Sequence, residues 1–138
     1  MRGMMRLAIM GVPGAQGGAL AAPSFTVTTT APAQTLTLTS LGVAADETVT
    51  VEWGDGASDD YTGTAQRTHQ YASAGEYIVT LRNAAAITGL DIRDAKVSLT
   101  LGPAWRAMMP STLRLDALKA TGDVADLPRV TSTLYLYL

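Results

Sequence analysis

Alternation of apolar and polar residues with a period of two is the feature that most constrains the fold of this chain. The alternation begins at Ser24, in SFTVTTT, and returns in QTLTLTSL, TVTVEW and EYIVTL. Successive side chains of a β-strand point to opposite faces, so this period is typical of half-buried strands. The side chains predicted to point inward are Phe25, Val27, Leu36, Leu38, Val49, Val51, Trp53, Tyr77, Val79 and Leu81.

Turn signals separate these segments. The breaks are Ala31-Pro32-Ala33, Asp46-Glu47, Gly54-Asp55-Gly56 and the ASAG at 72–75. Glycine supplies the positive φ that a tight turn needs, which fits Gly54 and Gly56. Further strands are predicted around residues 61–64, 67–71 and 76–81, and no helix is predicted before residue 83. Several short strands between turns indicate an all-β antiparallel sandwich.

Two segments, VEWGDG at 51–56 and THQYASAGEYIVTL at 68–81, carry a motif. They resemble PKD-like domains, in which a strand ends in W-G-D-G and is followed by T-H-x-Y and G-x-Y-x-V-x-L. The matching residues are Trp53, Gly54, Asp55, Gly56, Thr68, His69, Tyr71, Gly75, Tyr77, Val79 and Leu81. The resemblance implies an immunoglobulin-like β-sandwich over residues 24–83 and a role in binding, spacing or adhesion on a surface. It also implies that the His and the Asp of the motif are structural.

The tail, residues 84–138, contains three L-x-L-type stretches. They are LDI at 90–92, LRL at 113–115 and LYL at 134–136, at intervals of 23 and 21 residues. These intervals and the junctions around GDVAD resemble leucine-rich repeats, which implies a short repeat-like β-rich extension. A solenoid usually needs about three repeats and caps, so a few extra strands extending the sandwich are the alternative.

Residues 1–23 are interpreted as an extended N-terminal arm. The segment is rich in glycine and has little to order it alone, so we expect a neighbouring subunit to hold it. The alternative is a secretory signal, because a basic start precedes a short apolar run. Pro13 and Gln16 interrupt that run.

Composition limits the classes of partner. Charged residues make up 16% of the 138 residues, below the usual quarter or so, which favours a surface partly covered by other subunits. The net charge is −2 and the basic residues form no stripe, so no nucleic-acid partner is expected. The chain has no cysteine, which excludes disulfides and thiolate chemistry. No apolar run approaches the roughly 20 residues of a membrane span.

His69, the only histidine, is the obvious catalytic candidate, since a histidine beside an acid can act as a general base. The chain has no nucleophile motif of the GxSxG type, and we predict no catalytic, cofactor or metal site. We expect the Asp55 carboxylate to accept hydrogen bonds from turn amides or from His69 or Thr68, pinning the turn to the next strand. Calcium binding by Asp55, Asp59 and Asp60 stays an alternative, although their spacing is not that of an EF-hand.

Four residues are candidate interface positions: Trp105, Leu134, Leu136 and Leu138. Trp105 has two interpretations, as core of the tail or as an interface anchor, since tryptophan is enriched at interfaces. The succession of a W-G-D-G sandwich and leucine-rich repeats is similar to that in tailed-phage virion proteins and bacterial surface proteins. We therefore expect a non-enzymatic virion component, in the tail, a fibre or a capsid decoration, that contacts capsid or tail proteins or forms a homo-oligomer. The alternative is a secreted cell-surface adhesion module that binds glycan or protein.

Overall fold

The computed structural model describes residues 22–108, 110–116, 119–130 and 132–137. Within these residues the strands are β1 (Ser24–Thr29), β2 (Gln34–Val43), β3 (Val49–Glu52), β4 (Ser58–Tyr61), β5 (Thr64–Tyr71), β6 (Gly75–Arg82), β7 (Ile87–Ile92), β8 (Val97–Leu101), β9 (Thr112–Asp116), β10 (Lys119–Gly122) and β11 (Thr133–Tyr137). Short 3₁₀ turns lie at Ala84–Ala86, Pro103–Ala107 and Val124–Asp126.

The strands form two mixed sheets, an arrangement compatible with a β-sandwich. Sheet A has the order β11-β9-β7-β2-β5, and sheet B has the order β10-β8-β1-β6-β3-β4. The first six strands pair only antiparallel among themselves. The tail strands pair parallel with one another, β7 with β9 and β9 with β11 in sheet A, and β8 with β10 in sheet B. The expectation of an all-β fold is therefore confirmed, while the sheets are mixed rather than purely antiparallel.

A single apolar cluster fills the space between the sheets. Nine of the ten side chains predicted to point inward are at most 2% exposed, and the tenth, Tyr77, is partly buried against them. The alternation was informative because each of these strands has one face in the core and one in water. No helix occurs among residues 22–83, as the sequence predicted.

Two strand positions differ from the prediction. The strand expected at 61–64 is β4, at Ser58–Tyr61, and β5 begins at Thr64. Between them Gly63 has φ 67°, a left-handed conformation that ends one strand and starts the turn. β4 lies at a sheet edge and its first three residues are exposed, so it shows no apolar alternation that could have revealed it.

A bulge in β2 moves a third leucine into the core. The pairing register of β2 shifts between Leu38 and Leu41, which are both fully buried although they stand an odd number of residues apart. An extra residue in one strand reverses the parity of the side chains that follow it. The period-two prediction is therefore valid only up to Leu38.

The tail extends both sheets of the first segment. β7 pairs with β2 in sheet A, and β8 pairs with β1 in sheet B. The L-x-L stretches lie in register, because Leu90 pairs with Leu113 and Leu113 pairs with Leu134. The intervals of 23 and 21 residues are thus the chain lengths that bring one strand back beside the previous one.

Trp105 lies among the core residues, which is the first of its two interpretations. It lies in the turn Pro103–Ala107, is 2% exposed, and shares the core with the fully buried Met108. Its side chain therefore has almost no exposed area in this chain.

The N-terminal arm falls outside the described residues apart from Ala22 and Pro23. Pro23 is buried, and its carbonyl oxygen accepts a hydrogen bond of 3.0 Å from the Leu81 amide. In the described ranges, no helix has the length and apolarity needed to cross a membrane.

Candidate functional site

The W-G-D-G segment forms a tight turn at the end of β3. Gly54 has φ 89° and Gly56 has φ 94°, and the Trp53 amide donates to the Ala57 carbonyl at 3.0 Å across the turn. A Cβ on Gly54 would lie 2.5 Å from the Ile78 carbonyl oxygen. Two independent reasons therefore favour glycine at position 54: its positive φ, and the close approach of the turn to β6.

Asp55, at the tip of this turn, joins it to β5. One carboxylate oxygen accepts the Ala57 amide at 3.0 Å, and the other lies 2.7 Å from His69 Nε2. Partial burial raises the pKa of Asp55, but the hydrogen bonds from His69 and the Ala57 amide and the charge attraction of His69 outweigh it, so the pKa is lowered overall. The ionised carboxylate is the form that this turn stabilises.

The His69 ring lies within a series of aromatic rings, which we call the aromatic ladder: Trp53, His69, Tyr71 and Tyr77. His69 stacks on Trp53 with centroids 4.8 Å apart and planes 3° apart, and it meets Tyr71 edge-on at 4.8 Å. Tyr71 in turn stacks on Tyr77 at 4.2 Å. The imidazole thus stacks on an indole and makes a perpendicular contact with a phenol, and its side chain is 15% exposed.

Hydrogen bonds fix the polar atoms of the aromatic ladder. The Tyr71 hydroxyl is buried and donates to the Trp53 carbonyl at 2.8 Å, which ties the end of β5 to the start of the turn. Burial raises the pKa of Tyr71, and the negative charge of Asp55 and the neighbouring Tyr77 raise it further. Trp53 Nε1 donates to Asp59 at 2.7 Å, and the Tyr77 hydroxyl donates to the Ser73 carbonyl at 2.8 Å.

The remaining motif residues have separate places. Thr68 is exposed on β5 opposite Thr37, so His69 rather than Thr68 supplies the side chain that binds Asp55. The Gly75 amide donates to the Thr29 hydroxyl at 3.0 Å, and that hydroxyl donates to the Ser73 carbonyl at 3.0 Å. Thr29 is 3% exposed and was not predicted as a site residue, although it occupies the next inward position after Val27.

Arg67 is a second residue of this region that no pattern in the sequence predicts. Its guanidinium lies 4.5 Å from the centroid of the Tyr61 ring and donates to the Thr62 carbonyl at 2.7 Å and to the Gly63 carbonyl at 3.2 Å. These contacts fasten the β4–β5 turn against the strand that carries His69.

The acidic residues proposed as calcium ligands are engaged in different contacts. Asp55 binds His69, Asp59 binds Trp53, and Asp60 accepts a hydrogen bond from the Thr50 hydroxyl. Across the ranges that the structure describes, no group of three or more His, Asp or Glu side chains is placed to hold a metal ion. The contacts of this region support its interpretation as structural, because they hold the W-G-D-G turn against β5 and β6.

The candidate interface positions of the tail lie on or beyond β11. Leu134 is 45% exposed and Tyr135 is 41% exposed, while the Tyr135 ring lies 5.1 Å from the Arg114 guanidinium. Leu136 pairs with Leu115 in the strand register, and Leu138 lies outside the described residues. Leu134 and Leu136 thus lie on the last strand of sheet A among the described strands.

In the structure, four of the motif residues form the aromatic ladder, and β7, β9 and β11 pair in parallel register. Comparison with protein-family models, curated proteins and solved structures gives no match for this chain.

Proposed function

We propose that this protein is a non-enzymatic structural subunit of a larger assembly, and that a tailed-phage virion component in the tail, a fibre or a capsid decoration fits it best. The observation that carries the proposal is the outer edge of β11. Among the described strands, this strand is the last of sheet A, and it exposes Leu134. An exposed apolar edge strand is a template for pairing with another chain.

The rest of the molecule supports a mechanical role. The side chains best suited to acid–base chemistry, His69 and Asp55, make structural contacts with each other and with the aromatic ladder. The low content of charged residues, 16%, is in keeping with a surface that other subunits cover in part. In this proposal the sandwich is a PKD-like module, and the tail is a leucine-rich-repeat-like extension through which it docks.

Sedimentation of the native material from its source, with an intact-mass measurement of the chain, tests the proposal. A chain that retains Met1 and sediments with a large particle is the expected result. Deleting residues 1–22 should then prevent incorporation while the sandwich stays folded, because the arm is proposed to be held by a neighbour. A small monomer whose chain begins near residue 22 would overturn the virion assignment.

The alternative proposal, an extracellular adhesion module, has one observation in its favour. A shallow groove of about 320 Å³ lies on the outer face of sheet A. Its floor is Gly42 and Gly89, and a Cβ on Gly42 would lie 2.7 Å from the Thr88 hydroxyl. The polar residues that line it are Ser40, Thr64, Thr88, Asp91, Ser111 and Thr112.

Hydroxyl and carboxylate groups around such a groove are suited to hydrogen bonding with a glycan or an extended peptide. Titration with oligosaccharides, followed by NMR shifts of the Thr88 and Asp91 amides, tests this alternative. Saturable shifts confined to the groove would favour adhesion. Shifts that do not saturate would leave the assembly proposal as the better one.

A further inference from the structure

We propose that the outer face of sheet B binds an anionic oligosaccharide, and that Lys96 and Lys119 receive its carboxylate or sulfate groups. This ligand would lie away from the proposed assembly contact, because β11 belongs to sheet A. Three features point to the site: two adjoining grooves, the placement of the two lysines, and the hydroxyl groups beside them.

The two grooves adjoin on the outer face of sheet B. One, of about 410 Å³, includes Ile78, and the other, of about 380 Å³, includes Lys96. Ser98 and Lys119 line both grooves, which therefore form one continuous depression. The depression crosses four neighbouring strands, β6, β1, β8 and β10. Its width of about 14 Å between the outer two strands suits an extended chain better than a single small ion.

Both lysines of the chain line this depression. Lys96 and Lys119 are the only lysines in the sequence, and both line the smaller groove. Lys119 pairs in register with Ser98, and Lys96 precedes Ser98 by two residues, so the two lysine Cα atoms are about 8 Å apart. Lys119 is exposed and forms no ion pair with any residue that the structure describes. Its ammonium group is therefore available to a ligand.

Asp94 positions the second lysine. Its carboxylate lies 3.0 Å from Lys96 Nζ and also accepts the Lys96 amide at 3.0 Å and the Thr37 amide at 3.2 Å. This carboxylate offsets part of the Lys96 charge, so Lys119 supplies the larger share of the attraction. None of the described residues that line the two grooves is acidic, and a cationic depression favours an anionic ligand.

Hydroxyl groups continue the depression away from Lys119. In one cross-strand row Lys119 pairs with Ser98, Ser98 with Thr26, and Thr26 with Ile78. Serine and threonine hydroxyls both donate and accept hydrogen bonds, as the hydroxyls of a sugar do. Ile78 is 62% exposed and offers an apolar surface to the C–H face of a sugar ring. The row thus presents a cation, two hydroxyls and an apolar side chain, which together match a charged sugar chain.

A nucleic acid fits this face less well. Proteins bind single strands by stacking bases on aromatic rings and by many contacts to phosphates. The one aromatic residue among the described lining, Phe25, has its side chain in the core and is 2% exposed. The depression therefore offers two cations and no exposed ring, which favours a glycan.

Methyl NMR of the full chain tests the proposal. Reductive methylation with isotope-labelled formaldehyde keeps the lysine charge and labels both side chains. Oligogalacturonate supplies carboxylates, a heparin-derived oligosaccharide supplies sulfates, and a neutral cello-oligosaccharide is the control ligand. We expect saturable shifts of both lysine signals with at least one anionic oligosaccharide and none with the neutral one. The anionic oligosaccharide that binds more tightly identifies the preferred charged group.

Variants locate the ligand. Lys119→Gln should weaken the binding at least about tenfold, because a charge-assisted hydrogen bond is lost. Thr26→Val removes one hydroxyl at nearly constant shape and should weaken it about threefold. Arg129→Gln is the matched control and should bind like the natural chain, since Arg129 is exposed and lines neither groove. Circular dichroism of each variant verifies that it is folded.

Several results would overturn the proposal. They are an absence of saturable shifts with both anionic oligosaccharides, shifts at only one lysine, and equal affinity for the neutral oligosaccharide. Unchanged affinity of Lys119→Gln would place the ligand on another surface. Equally tight binding of a single-stranded DNA of the same charge would show attraction by charge alone. The assembly proposal would survive each of these results, because sedimentation with a native particle tests it separately.

Discussion

Replacing Trp53 with alanine tests the claim that the W-G-D-G segment is architecture. Trp53 is fully buried, its indole stacks on His69, and its Nε1 donates to Asp59. The substitution therefore removes a large core side chain, the ring that stacks on His69, and the hydrogen bond to the Asp59 carboxylate.

The magnitude follows from these losses. Truncating a buried Phe or Trp to alanine typically costs about 3–5 kcal/mol, because the lost transfer free energy adds to that of the residual cavity. The Asp59 carboxylate is exposed and regains water, so the lost hydrogen bond adds little. We expect a decrease of about 3–5 kcal/mol in the free energy of unfolding, a large part of the roughly 5–15 kcal/mol of a typical domain.

Urea denaturation monitored by far-UV circular dichroism measures this change. Tryptophan fluorescence is less suitable for comparing the two proteins, because the variant keeps only Trp105. Ile78→Ala is the control, because Ile78 is 62% exposed and its truncation should change the stability by less than about 0.5 kcal/mol. A loss below about 1 kcal/mol for Trp53→Ala would refute the assignment of Trp53 to the core and reopen a ligand-binding role for the motif.

Three further predictions concern the same turn. Gly54→Ala should destabilise the protein by more than about 2 kcal/mol, whereas Gly56→Ala should cost only about 1 kcal/mol. Both glycines have positive φ, but only Gly54 lies against the Ile78 carbonyl. Equal losses of stability in thermal unfolding would contradict this. Tyr71→Phe should cost about 1–3 kcal/mol, since it leaves the Trp53 carbonyl without its donor, and an unchanged denaturation midpoint would show that the bond is immaterial. The lowered pKa of Asp55 means that its contribution to stability is present above its ordinary value of 3.8 and is lost as the pH falls through the lower folded value. Asp55→Asn should therefore lower stability at neutral pH and weaken its decline in acid, and parallel pH profiles for the two proteins would rule this out.

The sequence predicted the strands that have one face in the core and missed those that do not. Phe25, Val27 and the later inward residues are buried because alternation and burial share one physical cause. The first three residues of β4 are polar and exposed at the sheet edge, so only its pairing with β3 reveals this strand. The burial of Leu41 depends on a β-bulge, and no residue type in β2 predicts that irregularity of the backbone.

The site was predictable to a similar extent. The Asp55–His69 contact follows from the motif, but the stacking of His69 on Trp53 needs the relative placement of β3 and β5, which only the folded sheets supply. Arg67 and Thr29 went unnoticed because arginine on a strand and threonine in an alternating run are common and carry no specific signal. The burial of Trp105 depends on how the turn Pro103–Ala107 packs in the folded chain, which its sequence alone does not specify.

The junction between the antiparallel strands and the parallel ones has a consequence for how the tail can vary. The strands β2 and β1 of the antiparallel part pair with β7 and β8, so the tail continues the same two sheets. Each neighbouring strand lies about 4.8 Å farther along the sheet. A strand added or removed beyond β7 or β8 would therefore change the width of a sheet while the aromatic ladder, on β3, β5 and β6, keeps its own neighbours.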